Sequence, residues 1–379
     1  MSKKRFLIVS SFSPSLIHFR GDFIESLIHN NFEVFTAAPD YPEKIKQQLT
    51  DLGAIPKTFK LQRTGLNPLN DIKSISELKS IIKENNIDLV FPYTVKPVIY
   101  SSIAANACKV PVISLITGLG FAFTGLTFKA RTLQRLNEFL YKISIRKNKV
   151  IIFQNRDDYA LFLDRKIIPK TNKVEFVGGS GVNLNKYETR VNSNTSKVIK
   201  FLLVARLIKE KGIDLYIEAA KILKEKYPEA EFQIIGEPDN SPSSIKLEKL
   251  NILNTKGIII YHGKQSNVPE HLYKTDVFVL PTYYREGVPR SILEALSVGL
   301  PIITTDTPGC KETVIKDNNG ILIKPNNLNE LVNAMEFFLV NPEKIKEMGV
   351  NSRTYAENRF DVKIINKELI TIIQEEFNN

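Results

Sequence analysis

The sequence predicts an α/β protein built as two doubly wound parallel-sheet domains in tandem, and three observations predict it. Short apolar runs alternate with amphipathic stretches along the chain. The alternation lapses once near residue 180 and then restarts, and 379 residues exceed what one ordinary hydrophobic core encloses. In the first half the apolar runs fall at 6–11, 33–38, 88–92, 111–115, 150–154 and 174–177. They lack period-two alternation, which predicts strands covered on both faces, as in a parallel sheet with helical crossovers. Helical stretches lie between them, notably at 22–29, 72–84 and 98–107. The run Gly178-Gly179-Ser180-Gly181 and the polar segment 188–196 mark a junction. Beyond it, strands are predicted at 199–204, 230–235, 258–261, 277–280, 301–305 and 320–323, and helices at 213–226, 289–297 and 328–340. A last helix at 362–377 carries an apolar stripe of Ile364, Ile365, Leu369, Ile372 and Ile373. The expected domains are 1–182 and 183–361, with the helix at 362–379 packing back on the first. Two such units place a ligand cleft at the carboxyl ends of their strands.

Composition narrows the class. A 43% hydrophobic content without low-complexity tracts is that of a soluble globular chain. Lys3-Lys4-Arg5 opens the sequence, but the apolar run after it is far too short for a signal-peptide core and reads as a first strand. No segment offers the roughly 18 consecutive apolar residues that span a bilayer. Cys108 and Cys310 are too few for a disulfide framework and lack metal-ligand spacing, so the expected compartment is the reducing cytosol. The net charge of +11 is unevenly spread. Residues 1–190 hold 28 Lys and Arg against 16 Asp and Glu, and the remainder holds 24 against 25. The excess points the N-terminal half at something anionic: nucleic acid, lipid or a polyphosphate substrate. A plain lysine-rich bias is the alternative.

Two motifs carry chemistry. The first is Glu286-Gly287-Val288-Pro289-Arg290-Ser291-Ile292-Leu293-Glu294, preceded by Leu280-Pro281-Thr282-Tyr283-Tyr284-Arg285. A strand ends at Leu280, a loop follows, and Pro289 suits a helix start. Backbone amides of Gly287 through Ser291 then point from a helix N-terminus, where unpaired N–H groups and the dipole favour a diphosphate. Glu286 before the helix and Glu294 inside it can each accept hydrogen bonds from hydroxyls of a sugar or a ribose. Either alone also reads as an acidic cap or a surface carboxylate. The second motif is Arg206-Leu207-Ile208-Lys209-Glu210-Lys211-Gly212, a basic loop between a strand and a helix. Arg206 and Lys211 can grip a diphosphate from two sides, and Gly212 permits close backbone approach.

Together these residues resemble the retaining GT-B glycosyltransferases marked by a Glu-x7-Glu motif, family four of the sequence classification. The resemblance covers essentially the whole chain and is densest over 199–323, where Gly263-Lys264, Asp276, Gly299-Leu300-Pro301, Pro308-Gly309-Cys310-Lys311-Glu312 and Asn318-Asn319-Gly320 extend it. It implies two Rossmann-like domains facing a cleft. It implies that Arg206 and Lys211 neutralise the leaving nucleotide diphosphate, that Glu286 binds the transferred sugar, and that Glu294 binds the ribose. Gly287, Val288, Pro289, Arg290, Ser291, Gly236 and Lys264 complete the donor side. The donor is expected to be a UDP-N-acetylhexosamine or UDP-hexose, with no cofactor and no metal for transfer. Leaving-group charge then falls to cations and helix dipoles.

The N-terminal half is expected to define the acceptor. Ser11-Phe12-Ser13-Pro14-Ser15-Leu16-Ile17-His18-Phe19-Arg20 follows the first strand where many family members have a glycine-rich loop. It is similar to the subgroup that builds bacterial lipid-linked O-antigen, capsule and glycoprotein glycans, as are Tyr93-Thr94-Val95-Lys96-Pro97 and Thr117-Gly118-Leu119-Gly120. Ser15, His18, Arg20, Lys96, Thr117 and Gly118 are the acceptor candidates. Some members carry Glu at the place of Thr117, and Thr117 is not assigned as a base. The segment 126–149 carries Lys129, Arg131, Arg135, Lys142, Arg146, Lys147 and Lys149 against Glu138 alone, interleaved with Phe128, Leu133, Leu136, Phe139, Leu140 and Ile143. Such a mix suits a helix at an anionic membrane surface, or an amphipathic helix packed on the sheet with a basic outer face. The expectation is a peripheral enzyme at the inner face of the membrane. Its partners are a nucleotide sugar and a polyprenyl-diphosphate-linked glycan, without nucleic acid. A sugar-nucleotide epimerase on the same fold and a nucleic-acid-binding protein are the competing readings. The Arg206/Lys211 and Glu286/Glu294 pairing speaks against the first, and no recognition module supports the second.

Overall fold

In the computed structural model, residues 3–62, 67–120, 123, 128–190, 198–239 and 243–378 are described, the side chains of 128–130 and 378 excepted. The chain divides into two compact units: Met1–Gly181 with Val362–Asn379, and Val182–Asp361.

In unit 1, β1 (Lys4–Val9) leads through α1 (Pro14–His18) and α2 (Gly21–His29) to β2 (Phe32–Ala38). Then follow α3 (Glu43–Asp51), β3 (Ile55–Thr58), α4 (Pro68–Glu84), β4 (Leu89–Pro92), α5 (Val95–Ala107), β5 (Ile113–Ile116), α6 (Phe128–Ser144), β6 (Val150–Phe153), α7 (Arg156–Asp164) and β7 (Val174–Phe176). The sheets run β3-β2-β1-β4 and β5-β6-β7. Parallel bridges Val90–Val112 and Tyr93–Leu115 join β4 to β5, so the strands form one parallel layer. Burial of all four residues in each of β4, β5 and β6 explains why their sequences do not alternate. One apolar layer under the sheet includes Leu78, Val98, Tyr141 and Phe162 from α4 to α7. The opposite layer holds Phe23, Leu27 and Leu49 from α2 and α3.

Unit 2 repeats the plan with β8 (Lys200–Val204), α8 (Ile213–Lys226), β9 (Glu231–Ile235), α9 (Leu247–Thr255), β10 (Ile260–Tyr261), α10 (Val268–Tyr273), β11 (Val277–Leu280), α11 (Arg290–Ser297), β12 (Ile302–Thr305), β13 (Gly320–Ile323), α12 (Leu328–Val340) and α13 (Glu343–Arg359). Its six parallel strands run β10-β9-β8-β11-β12-β13. From β8 the order grows one way and from β11 the other, so the loops after these two strands diverge at a switch point, where doubly wound sheets bind ligands. The chain then returns to unit 1 as α14 (Val362–Asn378), whose Ile365, Leu369 and Ile373 join the layer of Phe23 and Phe32. Asn366 donates to the Ser26 hydroxyl at 3.1 Å, and Lys173 pairs with Glu376 at 2.8 Å.

Helices at Glu43–Asp51, Arg156–Asp164, Leu247–Thr255, Val268–Tyr273 and Glu343–Arg359, and the strand Ile55–Thr58, have no counterpart among the sequence expectations. These helices are mostly short or strongly polar, and tertiary packing decides them. Ile55–Thr58 is an edge strand, half-buried and carrying Pro56, so neither burial nor propensity announces it. The basic segment also differs from expectation. Its helix ends at Ser144, and Arg146, Lys147 and Lys149 lie beyond it. Arg146 donates to the carbonyls of Ile167 at 3.1 Å and Lys166 at 2.9 Å, which fixes it on the following loop. The Lys129 side chain and residues 126 and 191–196 lie outside what is described.

Candidate active site

The loop after β8 is stitched to the loop after β11. Lys209–Lys211 form a single 3-10 turn that ends at Gly212, whose φ of 77° is left-handed. A β-carbon on Gly212 would overlap the Pro281 carbonyl, so only glycine lets the two loops lie this close. The buried Glu210 completes the seam. Its carbonyl accepts from the amides of Tyr283 at 2.9 Å and Tyr284 at 3.1 Å and from the Thr282 hydroxyl at 2.9 Å, while its carboxylate accepts from Ser243 at 2.6 Å.

This seam brings Lys211 and Glu286, 75 residues apart, into an ion pair with side chains only 12% and 13% exposed. The Tyr284 ring lies beside both cations, with Lys211 Nζ 5.4 Å and the Arg206 guanidinium 5.9 Å from its centroid. Arg206 also pairs with Asp239 at 2.7 Å. Burial alone would pull the Arg206 pKa down, but Tyr284, Asp239 and Glu286 outweigh it and leave the pKa raised. The guanidinium is thus a permanent cation.

Helix α11 begins directly behind Glu286. Pro289 is its N-cap and no side chain caps it, so its first-turn amides are presented by backbone alone. Gly287 is held in place from the β12 loop. Gly309, at φ 79°, lies so close to the Gly287 carbonyl that a β-carbon there would overlap it. Thr304 donates to the Leu280 carbonyl at 2.8 Å, tying the ends of β11 and β12. Cys310 is fully buried in this packing, and burial first, then the charge of Glu286, pushes its thiol pKa up to about 11. It therefore stays a neutral thiol. Val288 belongs to the core beneath the loop, whereas Ser291 is half-buried on α11.

Glu294 lies one turn along α11 with Arg290 Nε 3.3 Å from its Oε1, and burial first, then the charge of Glu294, raises the pKa of the buried Tyr187 phenol. On the far side of β8, the Gly236 amide donates to the Gly263 carbonyl at 3.0 Å. Lys264, 72% exposed, pairs with Glu237 at 2.5 Å. Arg206, Lys211, Glu286 and the α11 N-terminus thus surround one switch point, with Lys264 at the end of β10. Sequence reasoning did not select Tyr284, Glu210 or Asp239. The aromatic Tyr283-Tyr284 pair, one residue before Glu286, was the signal available for the first.

In unit 1 the switch point lies between β1 and β4, and hydroxyls cluster in its loops. Ser15 is buried, with its hydroxyl 2.7 Å from Tyr93 Oη and 2.9 Å from Ser10 Oγ. The buried Arg20 guanidinium sits 5.3 Å from the Tyr93 ring centroid. Burial, against the opposing effects of Ser10, Ser15 and Arg20, raises the Tyr93 pKa, so the phenol remains protonated. Ser15 and Arg20 therefore support the loop from inside. His18 is exposed at the end of α1, and Lys96 binds the Gln62 carbonyl at 2.8 Å and Asp71 at 3.3 Å. Thr117 and Gly118 follow β5, half-exposed. Between these residues, Thr94 adopts φ 68° and ψ 158°, and its hydroxyl lies 3.1 Å from that of Ser11. A β-branched residue in that left-handed region is strained.

Among the described residues, no group of three or more His, Cys, Asp and Glu could hold a metal ion, and no helix is long and apolar enough to cross a membrane.

A doubly wound sheet with two cations, a Glu-x7-Glu pair and an uncapped helix N-terminus at its switch point defines a glycosyltransferase of the GT-B type. The glycosyl transferases group 1 family matches residues 186–355, and the glycosyl transferase 4-like family matches residues 7–155. An N,N'-diacetylbacillosaminyl-diphospho-undecaprenol alpha-1,3-N-acetylgalactosaminyltransferase of Campylobacter jejuni is 30% identical, covering 98% of each chain. A UDP-Gal:alpha-D-GlcNAc-diphosphoundecaprenol alpha-1,3-galactosyltransferase of Escherichia coli is 29% identical over 78% of this chain and 77% of its own. In fold, the chain is similar to Anabaena HepE in complex with UDP, with a TM-score of 0.77, 18% identity, and coverage of 98% and 100%. The sucrose-phosphate synthase of Thermosynechococcus elongatus gives a TM-score of 0.81 at 16% identity, covering 99% and 100%. The chain belongs to the group 1 glycosyltransferases, with a glycosyl transferase 4-like N-terminal half. The epimerase and nucleic-acid readings find no support in these relatives.

Proposed function

We propose that this glycosyltransferase moves a sugar, with retention, from a UDP-N-acetylhexosamine or UDP-hexose to a polyprenyl-diphosphate-linked glycan at an anionic membrane surface. The observation that carries the donor half is the Lys211–Glu286 pair, which unites two distant loops at the unit 2 switch point. A diphosphate arriving there competes with Glu286 for the Lys211 ammonium, which turns the carboxylate toward the sugar hydroxyls. Arg206 and the α11 amides share the phosphate charge, and Glu294 accepts from the ribose. In the transfer step the bond from the anomeric carbon to the β-phosphate oxygen breaks. The acceptor oxygen bonds the same face of that carbon, and the acceptor proton passes to the departing phosphate. Cations and amides fixed in place carry the leaving-group charge, so no metal is needed for transfer.

The acceptor class rests on relatives whose names specify undecaprenol-diphosphate-linked substrates. The membrane reading rests on α6. Its inner face packs Leu133, Leu140 and Tyr141 on the core, while Arg131, Arg135 and Lys142 are exposed with Phe139 and Ile143, which are 58% and 56% exposed. Cations beside apolar anchors suit an anionic lipid surface. Glu286→Gln tests the site: kcat/KM should fall by about 100-fold or more, with the melting temperature held within a few degrees. Near-normal turnover in that variant would remove Glu286 from the active site. A panel of nucleotide sugars, read as transfer to a polyprenyl-diphosphate-linked acceptor, identifies the donor.

A further inference from the structure

We infer that Asp239 is a positioning residue that sets donor-site affinity: its carboxylate holds the place of a phosphate group on Arg206 and gives way when a nucleoside diphosphate binds. The inference rests on the reading of Arg206 as a ligand of the donor diphosphate. The contact is direct, with Arg206 Nη1 donating to Asp239 Oδ2 at 2.7 Å. That is the length of a charge-assisted hydrogen bond, the kind a phosphate oxygen makes with the same guanidinium.

Asp239 does not reach Arg206 by the chance lie of a surface side chain. It belongs to the segment between β9 and α9, which is tied by backbone to the Arg206 loop on both sides of Asp239. Before it, the Leu207 amide donates to the Glu237 carbonyl at 3.0 Å. After it, the Lys209 amide donates to the Ser243 carbonyl at 2.9 Å and the Ile245 amide to the Leu207 carbonyl at 2.7 Å. Ile208 and Ser244 form an antiparallel bridge between these bonds, and the Ser243 hydroxyl adds its bond to the buried Glu210 carboxylate at 2.6 Å. The neighbouring acid, Glu237, is engaged by Lys264. These ties do not depend on the ion pair, so the carboxylate stays at hand when a ligand takes Arg206 from it.

The charges at the switch point give the contact its consequence. Lys211 pairs with Glu286 and Arg206 with Asp239, so each cation meets an anion of the protein before any donor arrives. Glu286 turns to the sugar once the diphosphate binds, whereas Asp239 is left facing another anion. The two repel, so Asp239 orders the guanidinium in the empty site and opposes occupancy of the filled one. The Arg206 and Asp239 side chains are 45% and 28% exposed, and water screens them. The effect on affinity is therefore about threefold to fivefold, within the range of exposed ion pairs. A mild opposition suits turnover, because the same diphosphate remains on the departing nucleotide and tighter binding is mostly slower release.

The test is calorimetric binding of UDP and GDP to wild type, Asp239→Asn, Arg206→Gln and the double variant, with thermal melts of all four. Asn keeps the shape of Asp and loses its charge, so the melting temperature should stay within a few degrees. Asp239→Asn should bind the nucleotide that wild type binds about threefold to fivefold more tightly, whereas loss of a merely structural residue weakens binding. In the Arg206→Gln background the same substitution should change affinity by less than about twofold, because its partner is gone. Unchanged or weaker binding by Asp239→Asn, while Arg206→Gln weakens binding, overturns the inference alone. Tightening that persists in full in the double variant does the same, since Asp239 then acts by general repulsion and not on Arg206. Wild-type affinity in Arg206→Gln, or binding of neither nucleotide to wild type, overturns the donor reading and the inference with it.

Discussion

The two switch points are built on the same strand order and solve the same backbone problem in opposite ways. In unit 2 Gly212, Gly236 and Gly309 take positive φ in loops after the strands, and each allows one loop to touch the backbone of another. In unit 1 the left-handed position at the end of β4 is Thr94, which bears a branched side chain and a hydroxyl close to Ser11. Unit 2 uses backbone contact to fix its charged groups, the ones proposed to meet a diphosphate. Unit 1 keeps a side chain at the cost of strain. Rigidity of frame and presentation of a side chain are separable demands, and each switch point favours one of them.

The largest effect should come from breaking the frame of unit 2. In Gly309→Ala the new β-carbon overlaps the Gly287 carbonyl, and the left-handed φ of 79° adds its own penalty. Relief requires the loop from Glu286 to Val288 to move, which carries Glu286 away from Lys211. The expected outcome is a loss of about 2–4 kcal/mol in urea unfolding and transfer too slow to measure. A variant that melts and turns over like wild type would show that the β12 loop does not hold the Glu286 loop.

That frame was only half legible in the sequence. Arg206, Lys211, Glu286 and Glu294 could be read because charged residues at strand ends are conspicuous, and the strands Val277–Leu280 and Gly320–Ile323 because fully or mostly apolar runs are. The pairings were not legible. Nothing in the sequence tells that Lys211 meets Glu286 or that Arg206 meets Asp239, because each depends on loops brought together by the sheet order. Unit 1 shows the converse. Ser15 and Arg20 look like ligand groups in a loop, yet both are buried around Tyr93, and sequence does not distinguish a polar residue that supports a loop from one that projects out of it.

An intermediate effect should follow from the outer surface of unit 1. The cations at the unit 2 switch point are matched to carboxylates, Lys211 to Glu286 and Arg206 to Asp239. On α6, Arg135 and Lys142 are instead exposed beside Phe139 and Ile143, and Glu138 engages Gln134 at 2.8 Å. Replacing Arg135 and Lys142 by Gln together with Phe139→Ser should lower binding to phosphatidylglycerol vesicles by about tenfold or more, at about 1 kcal/mol per charge near the surface. Turnover with a soluble short-chain acceptor should not change. Unaltered vesicle sedimentation would assign the helix to packing alone.

The smallest effect is the most informative about the comparison, because it reverses the Gly309 substitution in chemical sense. Thr94→Gly removes a side chain from φ 68° and ψ 158°, a conformation that costs a non-glycine residue about 1–3 kcal/mol. Against that relief stand the lost hydroxyl contact with Ser11, worth about 1 kcal/mol, and the added freedom of glycine in the unfolded chain, about 0.5–1 kcal/mol. The sum lies near zero, so urea unfolding should place the variant within about 1 kcal/mol of wild type. A glycine in place of a partly buried threonine at an ordinary backbone position has no strain to release and should destabilise. A loss of 2 kcal/mol or more would mean that the hydroxyl pair, and not the backbone, dominates the end of β4. The two switch points would then differ in side-chain bonding rather than in how they use the left-handed conformation.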